Sequence, residues 1–309
     1  MDAMYVDIAF SLNRTLHVPL LVVINSVLRN SVQGKELAPL RFNIVVPEGD
    51  RPFFEAQLRA AFQSAPHAAH AIFRVVEFTP PPFLKHYLDS KFREKNPQRR
   101  ISRYMQYARL FLKSIFPDVS KVIYLDGDTL VVADIRALFA QSERLSADCY
   151  LGAVPQFFPA LFYFTNPLKM LPDLRQFKST FNSGVLLTDL TYWTDQTYRR
   201  LQHYLELDAQ QDYRLYNLGD ETVFNLMFKD CYLPLAPQWN RWGYGQLHIV
   251  AQVLKLSRRS ATTSILHWSG GHHKPWQSDR VTYSALWRSY LPATCTTDAS
   301  TPAVAMHGA

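Results

Sequence analysis

The sequence predicts an α/β fold built on a mostly parallel sheet flanked by helices, with a smaller mixed region after it. Three observations carry this. Strand-like and helix-like segments alternate through the first half. The helical segments run about a dozen residues, enough for the crossover between parallel strands. One strand, "KVIYL" (121–125), runs straight into Asp126-Gly127-Asp128, and in open α/β sheets ligands gather beyond the carboxyl ends of strands.

The elements follow in order. "YVDIAF" (5–10) reads as a strand, and "VPLLVVINSVLRNS" (18–31) as a helix with Pro19 near its first turn. "LRFNIVV" (40–46) is a strand, "RPFFEAQLRAAFQ" (51–63) a helix and "IFRVVEF" (72–78) a strand. Pro80-Pro81-Pro82 breaks the pattern, and a basic segment follows. "SRYMQYARLFLKSIF" (102–116) is helical, because Tyr104, Ala108, Phe111 and Ile115 recur on one face. The second half is less regular. It holds "YLGAVPQ" (150–156), an aromatic loop (157–180), "FNSGVLLTDL" (181–190), helices near 191–207 and 220–229, and a strand "TSILHW" (263–268). One domain over 1–292 is expected, with halves at about 1–135 and 136–292. The Ala/Thr-rich tail 293–309 is expected to be disordered.

Composition is that of a globular protein, 48% hydrophobic and 19% charged. No run of ~18 apolar residues is present, so no membrane span is expected. The formal charge is +7, concentrated between Lys85 and Lys113. That segment is either a solvated surface or a contact for an anionic partner such as a nucleotide, a phosphate or an acidic glycan. No recognised nucleic-acid module accompanies it, so nucleic acid is not an expected partner. The three cysteines, Cys149, Cys231 and Cys295, form neither a zinc pattern nor a dense disulfide framework. An odd number leaves one thiol unpaired. The N-terminus shows no basic start followed by an apolar signal core. Compartment stays open: the Golgi lumen for a eukaryotic chain whose anchor lies outside these residues, the cytoplasm otherwise.

Two carboxylates at the tip of a buried strand are costly unless something neutralises them. Asp126 and Asp128 have three readings. They could cap a turn through local backbone N–H groups. They could belong to a haloacid-dehalogenase-like phosphatase, but Leu130 stands where that motif needs Thr, and Phe224 replaces the last Asp of "GDETVF". They could clamp a divalent metal on a nucleotide diphosphate, since hard oxygen donors suit Mg²⁺ or Mn²⁺. "ILHWSGGHHKPW" (265–276) favours the metal. His267 offers an imidazole nitrogen, which leans toward Mn²⁺. Gly270 permits close backbone approach and Lys274 adds positive charge. His272 and His273 read as surface loop residues.

"KVIYLDGDTLVVADI", "FNSGVLLTDLTYW", "GDETVFN" and "LHWSGGHHKPW" occur in this order. Together they resemble the family 8 retaining glycosyltransferases over about residues 5–290. "QYARLFL" (106–112) and the C-terminal motif look most like the plant galacturonosyltransferase-like branch. "GDETVFN" is nearer the glycogenin and bacterial galactosyltransferase form. The resemblance implies a glycosyltransferase-A fold, in which a Rossmann-like nucleotide half is continuous with an acceptor half. It implies Mn²⁺ held by Asp126, Asp128 and His267, with Gly270 and Lys274 on the phosphates of a UDP-sugar. Arg109 would lie over the nucleotide-sugar, and Ala9, Ser11 and Asn13 would line the uridine pocket. Asn182, Ser183 and Gly184 would form the sugar-binding loop. Asp220 would contact the sugar, and Glu221 stands where Gln is common, facing the anomeric carbon. The implied activity moves a hexosyl, pentosyl or uronosyl group to a glycan or glycoconjugate hydroxyl, by a front-face route rather than a covalent one. A non-catalytic sugar-nucleotide binder is the alternative if the site has decayed. "QWNRWGYGQ" (238–246) is either an acceptor platform of Trp239, Trp242 or Tyr244, or a packed loop.

Overall fold

A computed structural model describes residues 5–31, 37–156, 159–246, 262–271 and 273–295. A seven-stranded sheet runs in the order β3-β2-β1-β4-β7-β6-β8. Its strands are β1 (Val6–Ser11), β2 (Leu40–Pro47), β3 (Ile72–Phe78), β4 (Lys121–Leu125), β6 (Leu151–Gln156), β7 (Thr180–Asp189) and β8 (Leu233–Pro234). A separate antiparallel pair joins β5 (Thr129–Val131) to β9 (Ile265–His267). The β3-β2-β1-β4 block is parallel, and β7 runs antiparallel to both β4 and β6. The α/β expectation with a mostly parallel sheet is therefore met.

Burial follows the period-2 alternation of a sheet covered on both faces. Ile8, Phe10, Ile123 and Leu125 enter one core, with α1 (His17–Asn30) and α2 (Arg51–Phe62) packed on it. Ala9, Val122 and Tyr124 enter the other. That face carries α3 (Pro82–Phe92), α4 (Pro97–Ala108), α8 (Asp195–Ala209) and α9 (Asp220–Met227). Short helices α5 (Leu112–Ile115), α6 (Arg136–Phe139), α7 (Leu171–Leu174) and α10 (Ser284–Arg288) lie between and after these. α1 is buried continuously from Pro19 to Leu28, which explains its unbroken apolar sequence.

Two helical boundaries differ from the sequence expectation. The basic segment after the prolines is α3, which starts at Pro82 itself. The helix expected at 102 begins at Pro97, where the Asn96 side chain accepts from the Gln98 and Arg99 N–H groups. Proline is at home in a first turn because its missing N–H has no partner to lose there. The expected helix 102–116 is also broken by a 3-10 turn at Arg109–Phe111 before α5. Cys149 and Cys231 pair as a disulfide, Cα atoms 5.3 Å apart, just ahead of the neighbouring strands β6 and β8. Cys295 is not in a disulfide. The tail expected to be disordered lies outside the described residues beyond Cys295, and so does His272.

Candidate active site

The site forms where the sheet order turns back on itself at β1 and β4, the position at which α/β folds bind ligands. Asp126 directly follows β4, and its N–H donates to the Gly184 carbonyl of β7 at 2.8 Å. That bond continues the β4–β7 register in which Leu125 faces Val185. Asn182, Ser183 and Gly184 are thereby carried alongside the aspartates. The β5–β9 pair does the same for His267, which stands opposite Thr129. The Trp268 N–H then donates to the Asp128 carbonyl at 2.9 Å.

One oxygen or nitrogen from each of Asp126, Asp128 and His267 falls within 4.8 Å of the others. His267 Nε2 lies 3.2 Å from Asp128 Oδ1 and 3.8 Å from Asp126 Oδ2. Two carboxylate oxygens and an imidazole nitrogen in that space offer a mixed donor set of the kind that suits a divalent cation. Gly184 makes the closeness feasible. A Cβ there would sit 2.2 Å from His267 Cε1 and 2.7 Å from Asp126 Oδ2.

Cations on the chain answer the cost of the two aspartates. Lys274 Nζ sits 2.5 Å from Asp128 Oδ2 and also donates to the Trp268 carbonyl. Burial works against ionisation of Asp128, and the Lys274 ammonium overcomes it, holding the carboxyl well below the usual range. Arg109 is buried and spans two acids. Its guanidinium reaches Asp126 Oδ1 at 3.1 Å and Asp220 Oδ2 at 2.5 Å, and donates to the Ser183 carbonyl at 2.8 Å. Burial opposes the charge on Arg109, but Asp126 and Asp220 outweigh it and raise its pKa. Burial pushes the Asp220 carboxyl up, and Arg109 pulls it back part of the way.

Glu221, beside Asp220 in the first turn of α9, pairs with no cation among the described residues. Its Oε1 accepts from Gln156 and Tyr163, both at 3.1 Å. Its Oε2 accepts from Asn182 Nδ2 at 2.9 Å and the Ser183 N–H at 3.5 Å. Burial raises its pKa, the Gln156 bond lowers it, and repulsion from Asp220 raises it again; the net shift is upward.

The other residues singled out in the sequence lie at varied distances from this centre. Ser11 closes β1 and shares a 2.9 Å hydrogen bond with the Tyr124 hydroxyl, which itself donates to Asp126 at 3.2 Å. Ala9 is fully buried in the core. Asn13 spends its amide locally, donating to Ser102 Oγ and accepting from the Thr15 N–H and hydroxyl, so it caps the turn at Arg14–Leu16. Gly270 has φ +103, a left-handed conformation suited to glycine, and a Cβ there would meet Gln246 at 2.9 Å. His273 is exposed. Trp239 and Tyr244 are buried among core residues, which is the packed-loop reading of 238–246 for those two. Within the basic segment, Lys85 pairs with Asp89, Lys91 with buried Asp208, and Arg109 with the site acids. Lys91 and Arg109 are thus spent inside the protein, while Lys85, Arg93, Lys95, Arg99 and Arg100 are exposed.

Sequence reasoning missed Asn240, Gln156 and Tyr163. Asn240 is buried between Asn182 and His267. A polar residue within an aromatic run was the only signal it gave. Gln156 also lines a cavity of about 500 Å³ with Pro159, Ala160, Leu174, Phe177 and Thr180.

The family profile described as Glycosyl transferase family 8 matches residues 7–280. The chain belongs to glycosyl transferase family 8. "Probable galacturonosyltransferase-like 10" of Arabidopsis thaliana is 35% identical over 181 residues, covering 56% of this chain and 48% of that protein. "Probable galacturonosyltransferase-like 6" of the same plant is 28% identical over 286 residues, covering 87% and 75%. Matches to the first curated relatives thus span about half of their length. Among solved structures, an active-site Gln-to-Glu mutant of LgtC superposes with a TM-score of 0.65 at 20% identity, covering 96% of this chain and 98% of LgtC. LgtC has also been crystallised as a galactosyltransferase with donor and acceptor sugar analogs, and that structure gives a TM-score of 0.64 at 18% identity, covering 96% and 98%. At these identities the likeness establishes a shared fold.

Proposed function

We propose that this chain is a retaining glycosyltransferase that moves a hexosyl, pentosyl or uronosyl group from a UDP-sugar to a glycan or glycoconjugate hydroxyl, with Mn²⁺ at Asp126, Asp128 and His267. The observation that carries the reading is that cluster itself, set at the carboxyl end of β4 and linked through Arg109 to Asp220 and through Asn240 to Asn182 and Glu221. A divalent cation bound there supplies positive charge for a departing diphosphate. Lys274 is the chain's own cation beside Asp128, placed to add to that charge.

The protein groups then have separate tasks. Arg109 holds Asp126 and Asp220 apart at fixed positions and remains charged while doing so. Asn182 and Asp220 present hydrogen-bonding groups to sugar hydroxyls. Glu221 is held by four donors and contributes negative potential toward the anomeric carbon. Its oxygens are saturated, which favours a front-face route, in which the acceptor hydroxyl enters on the side of the leaving diphosphate, over attack by Glu221 itself. The cavity beside Gln156 is a place for the acceptor.

The test is a donor panel of UDP-glucose, UDP-galactose, UDP-xylose and UDP-galacturonate, with UDP release followed with and without Mn²⁺. One donor should be turned over in a Mn²⁺-dependent way. Asp126→Asn or Asp128→Asn should abolish that turnover and weaken Mn²⁺-dependent UDP binding, with circular dichroism unchanged. Wild-type turnover in either variant would refute the cation site, and turnover of a phosphate monoester without any UDP-sugar would refute the transferase.

A further inference from the structure

A line of hydrogen bonds joins Glu221 to His267 through two buried asparagines, and one backbone group fixes the direction of all of them. The Gly184 N–H donates to Asn182 Oδ1 at 3.1 Å. A backbone N–H can only donate, so the Asn182 atom facing it is the oxygen. Asn182 Nδ2 accordingly faces Glu221 Oε2, an acceptor, at 2.9 Å. The Asn240 atom 2.9 Å from that same Asn182 oxygen has to be its Nδ2. Asn240 Oδ1 is then the atom 3.0 Å from His267 Nδ1. An amide oxygen accepts and never donates, so His267 Nδ1 carries a proton. The ring atom left to take up a cation is Nε2, and Nε2 is the atom that faces Asp126 and Asp128.

We propose that Asn240 is a positioning residue: it fixes the orientation and Nδ1–H form of the His267 ring so that Nε2 points at the two aspartates. The proposal rests on the reading of Asp126, Asp128 and His267 as a cation site. Asn240 is 2% exposed and His267 1% exposed, so solvent offers neither a substitute partner. A ligating histidine whose other nitrogen is held by a protein oxygen keeps one tautomer and one orientation, and loss of such a partner typically weakens metal affinity about 10–100-fold.

Two measurements on the whole chain test this. In metal-free protein with ¹⁵N-labelled histidine, NMR should show His267 Nδ1 protonated in the wild type and its hydrogen bond lost in Asn240→Leu. Titration with Mn²⁺, followed by electron paramagnetic resonance, should show affinity about 10–100-fold weaker in Asn240→Leu. Asn240→Asp keeps an acceptor for Nδ1–H while losing the donor to Asn182, so it should bind Mn²⁺ at least as tightly as wild type. A merely structural asparagine would not give this split. Mn²⁺ affinity in Asn240→Leu within twofold of wild type would overturn the proposal. So would an unprotonated Nδ1 in the wild type, or an Asn240→Asp variant that loses affinity as Asn240→Leu does. If Asn240→Leu fails to fold, the wild-type ring measurement and Asn240→Asp decide by the same criteria. Absence of Mn²⁺ binding by the wild type would instead refute the cation site, and the NMR measurement would then judge the role of Asn240 by itself.

Discussion

Replacing Glu221 with glutamine separates the two roles a carboxylate at this position could have. A carboxylate has about four lone-pair sites, and four donors reach Glu221: Gln156, Tyr163, Asn182 and the Ser183 N–H. To attack a sugar carbon, one oxygen has to shed its two donors. Hydrogen bonds to charged groups are each worth about 1.5–3 kcal/mol, so freeing an oxygen costs roughly 3–6 kcal/mol, about 10²–10⁴ in rate. The macrodipole at the start of α9 offsets part of the rise in pKa that burial gives Glu221. Glutamine, by contrast, fits the same cradle. Its oxygen stays toward Ser183 N and Asn182 Nδ2, which cannot turn because Gly184 holds Asn182. Its new NH₂ faces Gln156 and Tyr163, whose amide and hydroxyl can both reverse. Glu221→Gln is therefore expected to keep kcat within about tenfold of wild type, roughly 1.4 kcal/mol, in an assay of Mn²⁺-dependent UDP release. Stability supplies a second readout. The folded pKa of Glu221 lies above its unfolded value, so the folded state binds the extra proton, and this group's contribution to stability falls as pH rises through that interval. Glu221→Gln should be more stable than wild type at pH 8, and the difference should shrink as pH falls through the raised folded pKa, vanishing near the unfolded value of about 4. A loss of ~10³ or more in kcat with the fold intact, together with a glycosyl adduct on Glu221 seen by mass spectrometry, would refute the saturation argument.

Gly184→Ala should abolish Mn²⁺ binding while leaving far-ultraviolet circular dichroism in place, because its methyl collides with His267 and Asp126; unchanged Mn²⁺ affinity would contradict the geometry. Lys91→Met should cost about 3 kcal/mol of stability in a urea titration, the low end for breaking a buried ion pair. Asp208 loses its Lys91 partner but keeps bonds from Tyr87, Leu215 and Tyr216; a loss under about 1 kcal/mol would place this pair with exposed ones. Cys149→Ser should lower stability by about 4–5 kcal/mol in the chain-entropy account, since the bridge closes a loop of 82 residues. Equal melting temperatures with and without reductant would show that the bridge does not form.

What the sequence revealed, and what it hid, divides along the range of the interactions. β1 to β4 were legible because strands buried on both faces read as apolar runs bounded by turn signals. The Pro80–Pro82 break concealed α3, although Pro82 followed by Leu84, Tyr87 and Leu88 has helical spacing. Asn96-Pro97 was likewise a readable helix start. Asp126, Asp128 and His267 could be chosen as chemistry-bearing residues, but their meeting depends on the β5–β9 register, which no local pattern encodes. Arg109 was assigned to the nucleotide-sugar. Its span across Asp126 and Asp220 follows from three elements converging, and spacing along the chain is silent about that.

That convergence also answers why two aspartates are tolerated at the end of a buried strand. Asp126, Asp128, Asp220 and Glu221 stand together, and among the described residues the arginine and lysine side chains that pair with them are Arg109 and Lys274. Four acids against two cations leave an excess of negative charge in a low-dielectric setting, where each unit of imbalance is expensive. The chain meets part of it by raising the pKa values of Asp220 and Glu221. Asp128 does not take that route, because Lys274 keeps it ionised. Two carboxylate oxygens and the imidazole nitrogen still converge within 4.8 Å of each other. A site so arranged gains most from a divalent cation, and gains less from the diphosphate it would face unless that cation arrives with it.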